Sequence, residues 1–348
     1  MGRDFKQPEI STVGEKMIIA VDAAGGDYAP HEIVKGAIKA AQEYGVEIAL
    51  VGRRNVLHVL AGRSLRKPEI NIVNASQTIE YNEPPMRAVR DKPKSSIVVG
   101  IDLLKTGKAS AFVSAGNTGA VLCAALLSLG KVNGIERPAI GCFLDDITTI
   151  PSLLIDAGAN VECRPDHLLQ FARMGALYST NILGIKSPSV GLLSNGGEET
   201  KGSRLTQEAY QLLKKAGNLN FIGNIEGQDI ARRTTDVIVT DGLTGNIVLK
   251  TIEGLSDSFL TTARQLGHIL SNVSHLRGRD LLRDIGLGSL VKRMDYREYG
   301  GAGLLGVDGN VIIAHGRSQA RAIKNAIGLA KETVDRSITQ RIKEENYD

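Results

Sequence analysis

The chain has 348 residues, a formal net charge of +4 at pH 7, 39 glycines and no tryptophan. This length allows one or two domains with a large core. The mild charge argues against a nucleic-acid-binding protein, which normally carries a strong basic patch.

No run approaches the roughly 18 consecutive apolar residues of a membrane span. Residues 1–16 are polar and lack the apolar core of a secretion signal, so we expect a disordered extension before one catalytic domain over 17–348. Cys123, Cys142 and Cys163 have neither metal-ligand spacing nor a C-x-x-C pattern. They are predicted to be structural thiols, and so sparse and odd a count fits a reducing cytoplasm.

Strands and helices are predicted from apolar runs, their period and the glycine-rich turns that follow them. The predicted strands are Met17–Asp22, Val46–Val51, Ile70–Val73, Ala111–Ser114, Ala139–Leu144, Ser152–Asp156, Ser189–Leu193, Asn220–Ile222 and Val237–Val239. The predicted helices are Pro30–Tyr44, Asn55–Leu60, Ser95–Leu104, Asp166–Asn181, Ser203–Ala216 and Ser318–Lys343. Their alternation predicts an α/β protein with a mostly parallel sheet covered by helices on both faces.

Three segments depart from this alternation. Ala139–Leu144 and Ser152–Asp156 have no helix between them, which predicts an antiparallel pair. Residues 300–313 resemble a hairpin with its turn at Asp308-Gly309. Residues 256–294 predict a basic, apolar helical hairpin, for which contact with a second subunit, with an acidic partner protein or with an anionic membrane surface remains open.

One pattern occurs twice. In Asp236–Lys250 and in Ala111–Leu122 an apolar strand leads through G-x-T-G into an apolar helix start. Such a turn directs unpaired backbone N–H groups and the positive end of a helix dipole at an anion, although two ordinary strand–helix turns would give the same pattern. The matching residues are Gly116, Thr118 and Gly119 in one copy and Gly242, Thr244 and Gly245 in the other.

Four glycine-bearing loops follow predicted strands: Ala23–Asp27, Ala115–Gly119, Asn195–Gly202 and Asp241–Asn246. Ligands of open α/β sheets bind at the carboxyl ends of strands, so the four loops are predicted to form a single site. Lys201 is the one lysine within them, and His315 follows a strand and could lie near. Asp22 and Asp27 could hold a metal, but a hydrogen-bonding role in the loops is favoured.

Several enzyme classes lack their motifs here. The chain has no G-x-S-x-G elbow, no phosphate-binding G-x-x-x-x-G-K-[ST] loop and no G-x-G-x-x-G after the first strand. A kinase or ATPase and a standard dinucleotide-binding enzyme are therefore poorly supported. The loops offer anion binding without an evident nucleophile.

Motifs along nearly the whole chain resemble the bacterial phosphate acyltransferases of phospholipid synthesis, the PlsX family. The matching stretches are IAVDAAGGDYAP (Ile19–Pro30), KSSIVVG (Lys94–Gly100), FVSAGNTGA (Phe112–Ala120), RPAI (Arg137–Ile140), DAGAN (Asp156–Asn160), QFARMG (Gln170–Gly175), EETKG (Glu198–Gly202), TDGLTGN (Thr240–Asn246), and GGAGLLGVDG and AHGRS between Gly300 and Ser318.

The resemblance implies a fold related to isocitrate and isopropylmalate dehydrogenases and to phosphotransacetylases. It implies transfer of a fatty acyl group from acyl carrier protein to inorganic phosphate, without metal or organic cofactor. It also implies a cytoplasmic homodimer, loosely attached to the membrane, that passes acyl phosphate to a membrane glycerol-3-phosphate acyltransferase.

Site residues follow from positions in the matching motifs. The resemblance implies that Lys201 supplies charge to phosphate or oxyanion and that Asn246 orients phosphate or carbonyl. Asp22 and Asp27 would order the loops. The implied phosphate- and substrate-binding residues are Gly116, Asn117, Thr118, Gly119, Asp241, Thr244 and Gly245.

Three other functions are weighed against this one. A phosphotransacetylase would use short acyl-coenzyme A, whereas the large apolar hairpin favours long chains and a protein carrier. In a non-catalytic membrane scaffold, replacing Lys201 or Asn246 would leave function intact. An NAD-dependent decarboxylating dehydrogenase is disfavoured because the dinucleotide fingerprint is missing.

Overall fold

The computed structural model describes residues 17–62, 64, 69–144, 151–273, 300–345 and 347. The expected extension 1–16 and residues 274–294 of the predicted hairpin lie outside the described residues. The strands are β1 (Ile18–Asp22), β2 (Glu47–Gly52), β3 (Ile70–Asn74), β4 (Ala111–Ser114), β5 (Ala139–Leu144), β6 (Ser152–Ile155), β7 (Ser189–Leu193), β8 (Asn220–Ile225), β9 (Val237–Val239), β10 (Ala302–Leu305) and β11 (Val311–Ile313). The helices are α1 (His31–Tyr44), α2 (Arg54–Ala61), α3 (Pro85–Asp91), α4 (Ser96–Lys105), α5 (Thr118–Ser128), α6 (Pro165–Leu183), α7 (Arg204–Lys215), α8 (Gly227–Arg232), α9 (Gly242–Val273), α10 (Ala320–Asp335) and α11 (Ile338–Glu344).

The described strands form one sheet in the order β3-β2-β1-β4-β11-β10-β5-β6-β9-β7-β8. Most neighbours are parallel, as the alternation of strands and helices predicts. The two predicted antiparallel pairs are also present, because β5 pairs antiparallel with β6 and β10 with β11. The expectation of a mostly parallel α/β sheet is therefore confirmed.

The antiparallel pairs reverse the direction of half the sheet. β10 runs against both β11 and β5, so β5 keeps the direction of β1, β4 and β11. β6 then runs against β5, and β9, β7 and β8 follow β6. The loops after β1 and β4 thus leave one edge of the sheet, and the loops after β9 and β7 leave the opposite edge. The four glycine loops, which are predicted to form a single site, therefore leave the sheet at two opposite edges.

Alternate residues of each strand pack into two apolar layers, one on each face. Ile19 and Val21 of β1 face the layer that contains α1, α6 and α10, whereas Ala20 faces the other layer. That second layer includes residues of α3, α4, α5 and the first part of α9. Helices thus cover both faces, as predicted.

The predicted helix Ser318–Lys343 is instead two helices. α10 ends at Asp335, and Ser337 has a left-handed backbone conformation with φ of 53°. This turn places Ile338 and Ile342 of α11 in the core. The prediction was wrong here because the turn depends on tertiary packing, and no glycine or proline marks it in the sequence.

The predicted hairpin at 256–294 is described only in its first part. Residues up to Val273 belong to α9, which begins at Gly242 and so continues directly from the second G-x-T-G turn. Among the described helices, none combines the length and apolarity needed to cross a bilayer.

Candidate functional site

Asp22 joins the loops that follow β1 and β4. Its side chain is buried, and it accepts hydrogen bonds from the N–H groups of Ala24 and Gly25 and, at 2.7 Å, from Ser114 Oγ. A Cβ at Gly25 would lie 2.7 Å from the Cα of Gly116, so the two loops approach backbone to backbone. Burial raises the pKa of Asp22, against the opposing effect of these hydrogen bonds.

Asp156 plays the same part in the loops that follow β6 and β9. It is fully buried, and its two oxygens accept five hydrogen bonds of 2.8–3.1 Å, donated by four backbone N–H groups and by Asn160 Nδ2. A Cβ at Gly242 would lie 2.6 Å from Asn160 O, which explains the glycine there. Burial raises the pKa of Asp156 as well.

The first turns of α5 and α9 are capped differently. Asn117 caps α5, since its Oδ1 accepts from Ala120 N at 3.0 Å, while its Nδ2 donates to carbonyls of residues 80, 81 and 83. Asp241 caps α9, accepting from both the N–H and the hydroxyl of Thr244 at 2.8 Å. These contacts occupy the side chains of Asn117, Asp241 and Thr244 within the protein.

A cavity of about 700 Å³ lies between the sheet, α5 and α9. Several residues of β5 form part of its apolar wall. The apolar lining includes Ile140, Cys142, Leu144, Leu249, Ile252 and Ile313. The polar lining includes Asp27, Thr118, Asn246, Lys250, Glu253 and His315. Such a volume and mostly apolar lining are typical of sites for small-molecule ligands.

Three of the four glycine loops contribute to this cavity although they leave different edges of the sheet. Gly116 and Thr118 line it at the start of α5, Asp27 lines it from the first loop, and Asn246 lines it from α9. α9 connects the two edges, because it begins beside Asp156 and reaches His315, which follows β11. The cavity is therefore a crevice along α9.

The fourth loop lies apart. Lys201 is exposed and is not among the described residues that line the cavity. Its backbone N–H donates to Glu198 O, and its side chain lies beside Gly196. Because β7 and β9 are parallel neighbours, this loop does leave the same edge of the sheet as Asp241–Asn246.

The remaining implied residues are placed around these turns. Gly245 packs its backbone against Asp156, and Gly119 packs against Pro85. Asp27 donates its N–H to Gly316 O at 2.8 Å, which ties the first loop to the segment after β11. Tyr81, beside Asp27, donates its hydroxyl to Ala115 O at 2.7 Å. Burial, together with the nearby carboxylates, raises the pKa of Tyr81 to about 12.

A charged cluster lines the cavity where α9 meets the segment after β11. Lys250 Nζ lies 2.8 Å from Glu253 Oε2 and 3.0 Å from His315 Nε2. Glu253 Oε2 lies 3.1 Å from the same nitrogen of His315. The Glu253 side chain is only 6% exposed. Its burial would raise its pKa, but the hydrogen bonds with His315 and Lys250 lower it below the ordinary value.

Three residues of these loops and of the cavity were not predicted from the sequence: Asp156, Lys250 and Glu253. For Asp156 the signal was the likeness of D-A-G-A-N to D-A-A-G-G, each after a buried strand. For Lys250 and Glu253 the signal was their spacing of four and seven residues from Asn246, which places all three on one face of a helix. His315 does lie at the cavity.

The three cysteines form no disulfide in the structure, which describes all of them. Each is partly buried. Cys142 lines the apolar wall, and burial raises its pKa to about 12, so its thiol stays protonated near neutral pH.

Comparisons with solved structures establish the fold. A phosphotransacetylase from Streptococcus pyogenes superimposes with a TM-score of 0.60 at 16% identity, covering 92% of this chain and 94% of the other. A branched-chain phosphotransacylase from Enterococcus faecalis gives 0.56 at 14% identity, covering 91% and 99%. The molecule thus shares its fold with these two proteins.

Comparisons with sequences establish the family. The model of the family described as fatty acid synthesis protein matches residues 17–341. The phosphate acyltransferase of Dehalococcoides mccartyi is 59% identical over 329 residues, which cover 94% of each chain. That of Pelotomaculum thermopropionicum is 49% identical over 327 residues, again 94% of each. The chain belongs to the phosphate acyltransferase family, and it is an acyltransferase of fatty acid and phospholipid synthesis.

Proposed function

We propose that this enzyme transfers a fatty acyl group from acyl carrier protein directly to inorganic phosphate, giving an acyl phosphate. One observation carries the proposal: a single cavity combines an apolar wall with groups suited to an anion. The wall of Ile140, Leu144 and Ile313 is suited to an acyl chain. The start of α5 and the side chain of Asn246 are suited to phosphate and carbonyl oxygens.

The chemistry needs few catalytic groups. Hydrogen phosphate is already anionic near neutral pH, and one of its oxygens attacks the thioester carbonyl carbon. The new C–O bond forms, the C–S bond breaks, and the departing thiolate takes up the proton that phosphate gives up. Positioning the two reactants can lower the barrier by about 7–11 kcal/mol, and each donor to the developing oxyanion by about 3–4 kcal/mol.

We assign Asn246 to orienting phosphate or the thioester carbonyl, since its side chain is exposed to the cavity. Lys201 is proposed as a second catalytic residue on the motif resemblance alone. Gly116, Thr118 and Gly119 are proposed to bind phosphate through the first turn of α5. The occupied side chains of Asn117, Asp241 and Thr244 favour a role in shaping these turns.

The proposed partners follow from the same reaction. Acyl carrier proteins are acidic, and the basic residues of 256–294 would steer their approach. We also propose a homodimer in the cytoplasm, with peripheral membrane contact and delivery of acyl phosphate to a membrane glycerol-3-phosphate acyltransferase.

The reaction is tested with purified protein, palmitoyl-acyl carrier protein and inorganic phosphate. Free thiol is followed with a thiol reagent, and acyl phosphate is trapped with hydroxylamine. We expect equal amounts of thiol and acyl hydroxamate, both dependent on phosphate and neither formed with sulfate. Thiol release in the absence of phosphate would indicate a thioesterase. Phosphate-dependent activity with acyl-coenzyme A but not with acyl carrier protein would indicate a phosphotransacetylase.

Two pairs of variants test the assigned residues. Asn246→Ala is compared with Asn71→Ala, an exposed asparagine on the outer strand β3, and Lys201→Met with Lys215→Met, an exposed lysine at the end of α7. We expect Asn246→Ala and Lys201→Met to lower kcat by about 10²–10³. The two control variants should retain wild-type rates. If both site variants keep wild-type rates, Asn246 and Lys201 take no part in catalysis, which is the result expected of a non-catalytic membrane scaffold.

A further inference from the structure

The charged cluster at the cavity places the ammonium of Lys250 beside Glu253 and His315. Lys250 follows Asn246 by one helical turn, so both side chains lie on the face of α9 that lines the cavity. Glu253 follows on the same face, one turn further along. His315 reaches the cluster from another part of the chain, 62 residues from Glu253.

The hydrogen bonds indicate which group carries which charge. Arg317 N–H donates to His315 Nδ1 at 3.1 Å, so in the neutral ring the proton lies on Nε2 and points at Glu253. Glu253 is a nearly buried carboxylate, and such a group requires charged or hydrogen-bonding partners. It has them in His315 and in the ammonium of Lys250.

Lys250 is the member of the cluster that remains accessible to a ligand. Its side chain is 53% exposed, against 6% for Glu253 and 23% for His315. The ammonium has three N–H donors, and its nitrogen lies 2.8 Å from Glu253 Oε2 and 3.0 Å from His315 Nε2. At least one donor remains for an anion in the cavity, and a fixed cation beside an apolar wall interacts strongly because the local dielectric is low.

We propose that Lys250 is a catalytic residue that binds the attacking phosphate, and that Glu253 and His315 position it. This inference rests on the proposed function. The ammonium would contact a non-reacting phosphate oxygen, while another phosphate oxygen attacks the thioester carbonyl. Lys250 keeps its protons throughout, because phosphate supplies the one that the leaving thiolate needs. Lys250 thereby supplies a positive charge within the cavity, whereas Lys201 is not among the described residues that line it.

The test compares Lys250→Met with Lys324→Met. Lys324 also forms a 2.8 Å ion pair, with Glu43, and it is not among the described residues that line the cavity. Phosphate saturation kinetics of thiol release give kcat and KM for phosphate. We expect Lys250→Met to lower kcat/KM for phosphate by about 10²–10³, Lys250→Arg to recover most of this loss, and Lys324→Met to match the wild type.

Glu253→Gln tests the positioning role. It removes the charge that fixes Lys250 but keeps the shape of the side chain, so we expect KM for phosphate to rise about tenfold with KM for the acyl carrier protein unchanged. A purely structural role would change both constants together. If Lys250→Met does not fold, an unchanged KM for phosphate in Glu253→Gln refutes the proposal, since Lys250→Arg is expected to stay near the wild type.

A binding measurement separates this inference from the proposed function. Inorganic phosphate is titrated with the protein alone and followed by ³¹P line broadening, which needs no turnover. Broadening by the wild type that Lys250→Met loses supports the inference even if no acyl transfer is found. Equal broadening by the two proteins, or a folded Lys250→Met with the wild-type KM for phosphate, refutes it and leaves the proposed reaction standing.

Discussion

Replacing Gly242 by alanine should disturb the contact that holds the start of α9. A Cβ there would lie 2.6 Å from the carbonyl oxygen and 2.7 Å from the nitrogen of Asn160. Since carbon and carbonyl oxygen rarely approach closer than about 3.3 Å, backbone must move by roughly 0.7 Å. Such overpacking costs about 1–3 kcal/mol, and weakening the 2.8 Å bond from Gly242 N–H to Asn160 O adds about 1 kcal/mol. We expect a loss of about 2–4 kcal/mol in unfolding free energy.

Gly254→Ala is the matched control, because it makes the same change in the same helix. In the part of the chain that the structure describes, no atom outside the backbone of its own helix lies within 4 Å of a Cβ at Gly254, so helix propensity should stabilise this variant by about 0.8–1 kcal/mol. Both are measured by urea unfolding followed by circular dichroism, together with the rate of acyl transfer. Gly242→Ala should also slow the reaction, since Asn246 lies one turn away. A Gly242→Ala protein within about 0.5 kcal/mol of the wild type would refute this account of the turn.

Two further predictions concern buried carboxylates. Asp156→Asn puts an amide NH₂ where five donors converge, so at least two donors lose their acceptor, and we expect a loss of about 2–6 kcal/mol by urea unfolding. Asp236→Asn should cost much less, because among the described residues only one oxygen of Asp236 accepts hydrogen bonds, both from Ser189; equal losses of unfolding free energy would contradict the reasoning. Glu253 has a pKa below its ordinary value of 4.5, so its ionised form stabilises the fold above that pH, and this contribution disappears as pH falls through the folded-state pKa. The unfolding free energies of the wild type and Glu253→Gln should therefore differ most above about pH 5 and converge below pH 4.5. A difference that does not change with pH would contradict a stabilising role of ionised Glu253.

Much of the local structure follows from sequence. Runs such as Ala111–Ser114 and Ser189–Leu193 are strands with the predicted bounds, because a short β-branched or apolar run between turn residues has few alternatives. The antiparallel pair of β5 and β6 was also predictable, since no helix separates them. The break between α10 and α11 was not, because Ser337 adopts its left-handed conformation without a glycine or proline to signal it.

The residues of the candidate site were likewise predictable from the sequence only in part. Asn246 and Thr118 were found because they belong to local strand–turn–helix patterns, and both line the cavity. Lys250 and Glu253 were overlooked because their arrangement depends on His315, which other elements bring to them. A charged residue on a helix resembles an ordinary exposed one until the partner that fixes it is known.

The sequence by itself determined the family, the alternation of strands and helices, and the two G-x-T-G turns. The strands, helices and turns depend on short-range periodicity and on backbone conformations that few residues allow, whereas the family follows from the motifs along the chain. The tertiary structure alone decided the order of the strands in the sheet and the meeting of Lys250 and Glu253 with His315 at the cavity. Strand order and side-chain convergence are set by contacts between residues far apart in the chain, which local patterns do not encode.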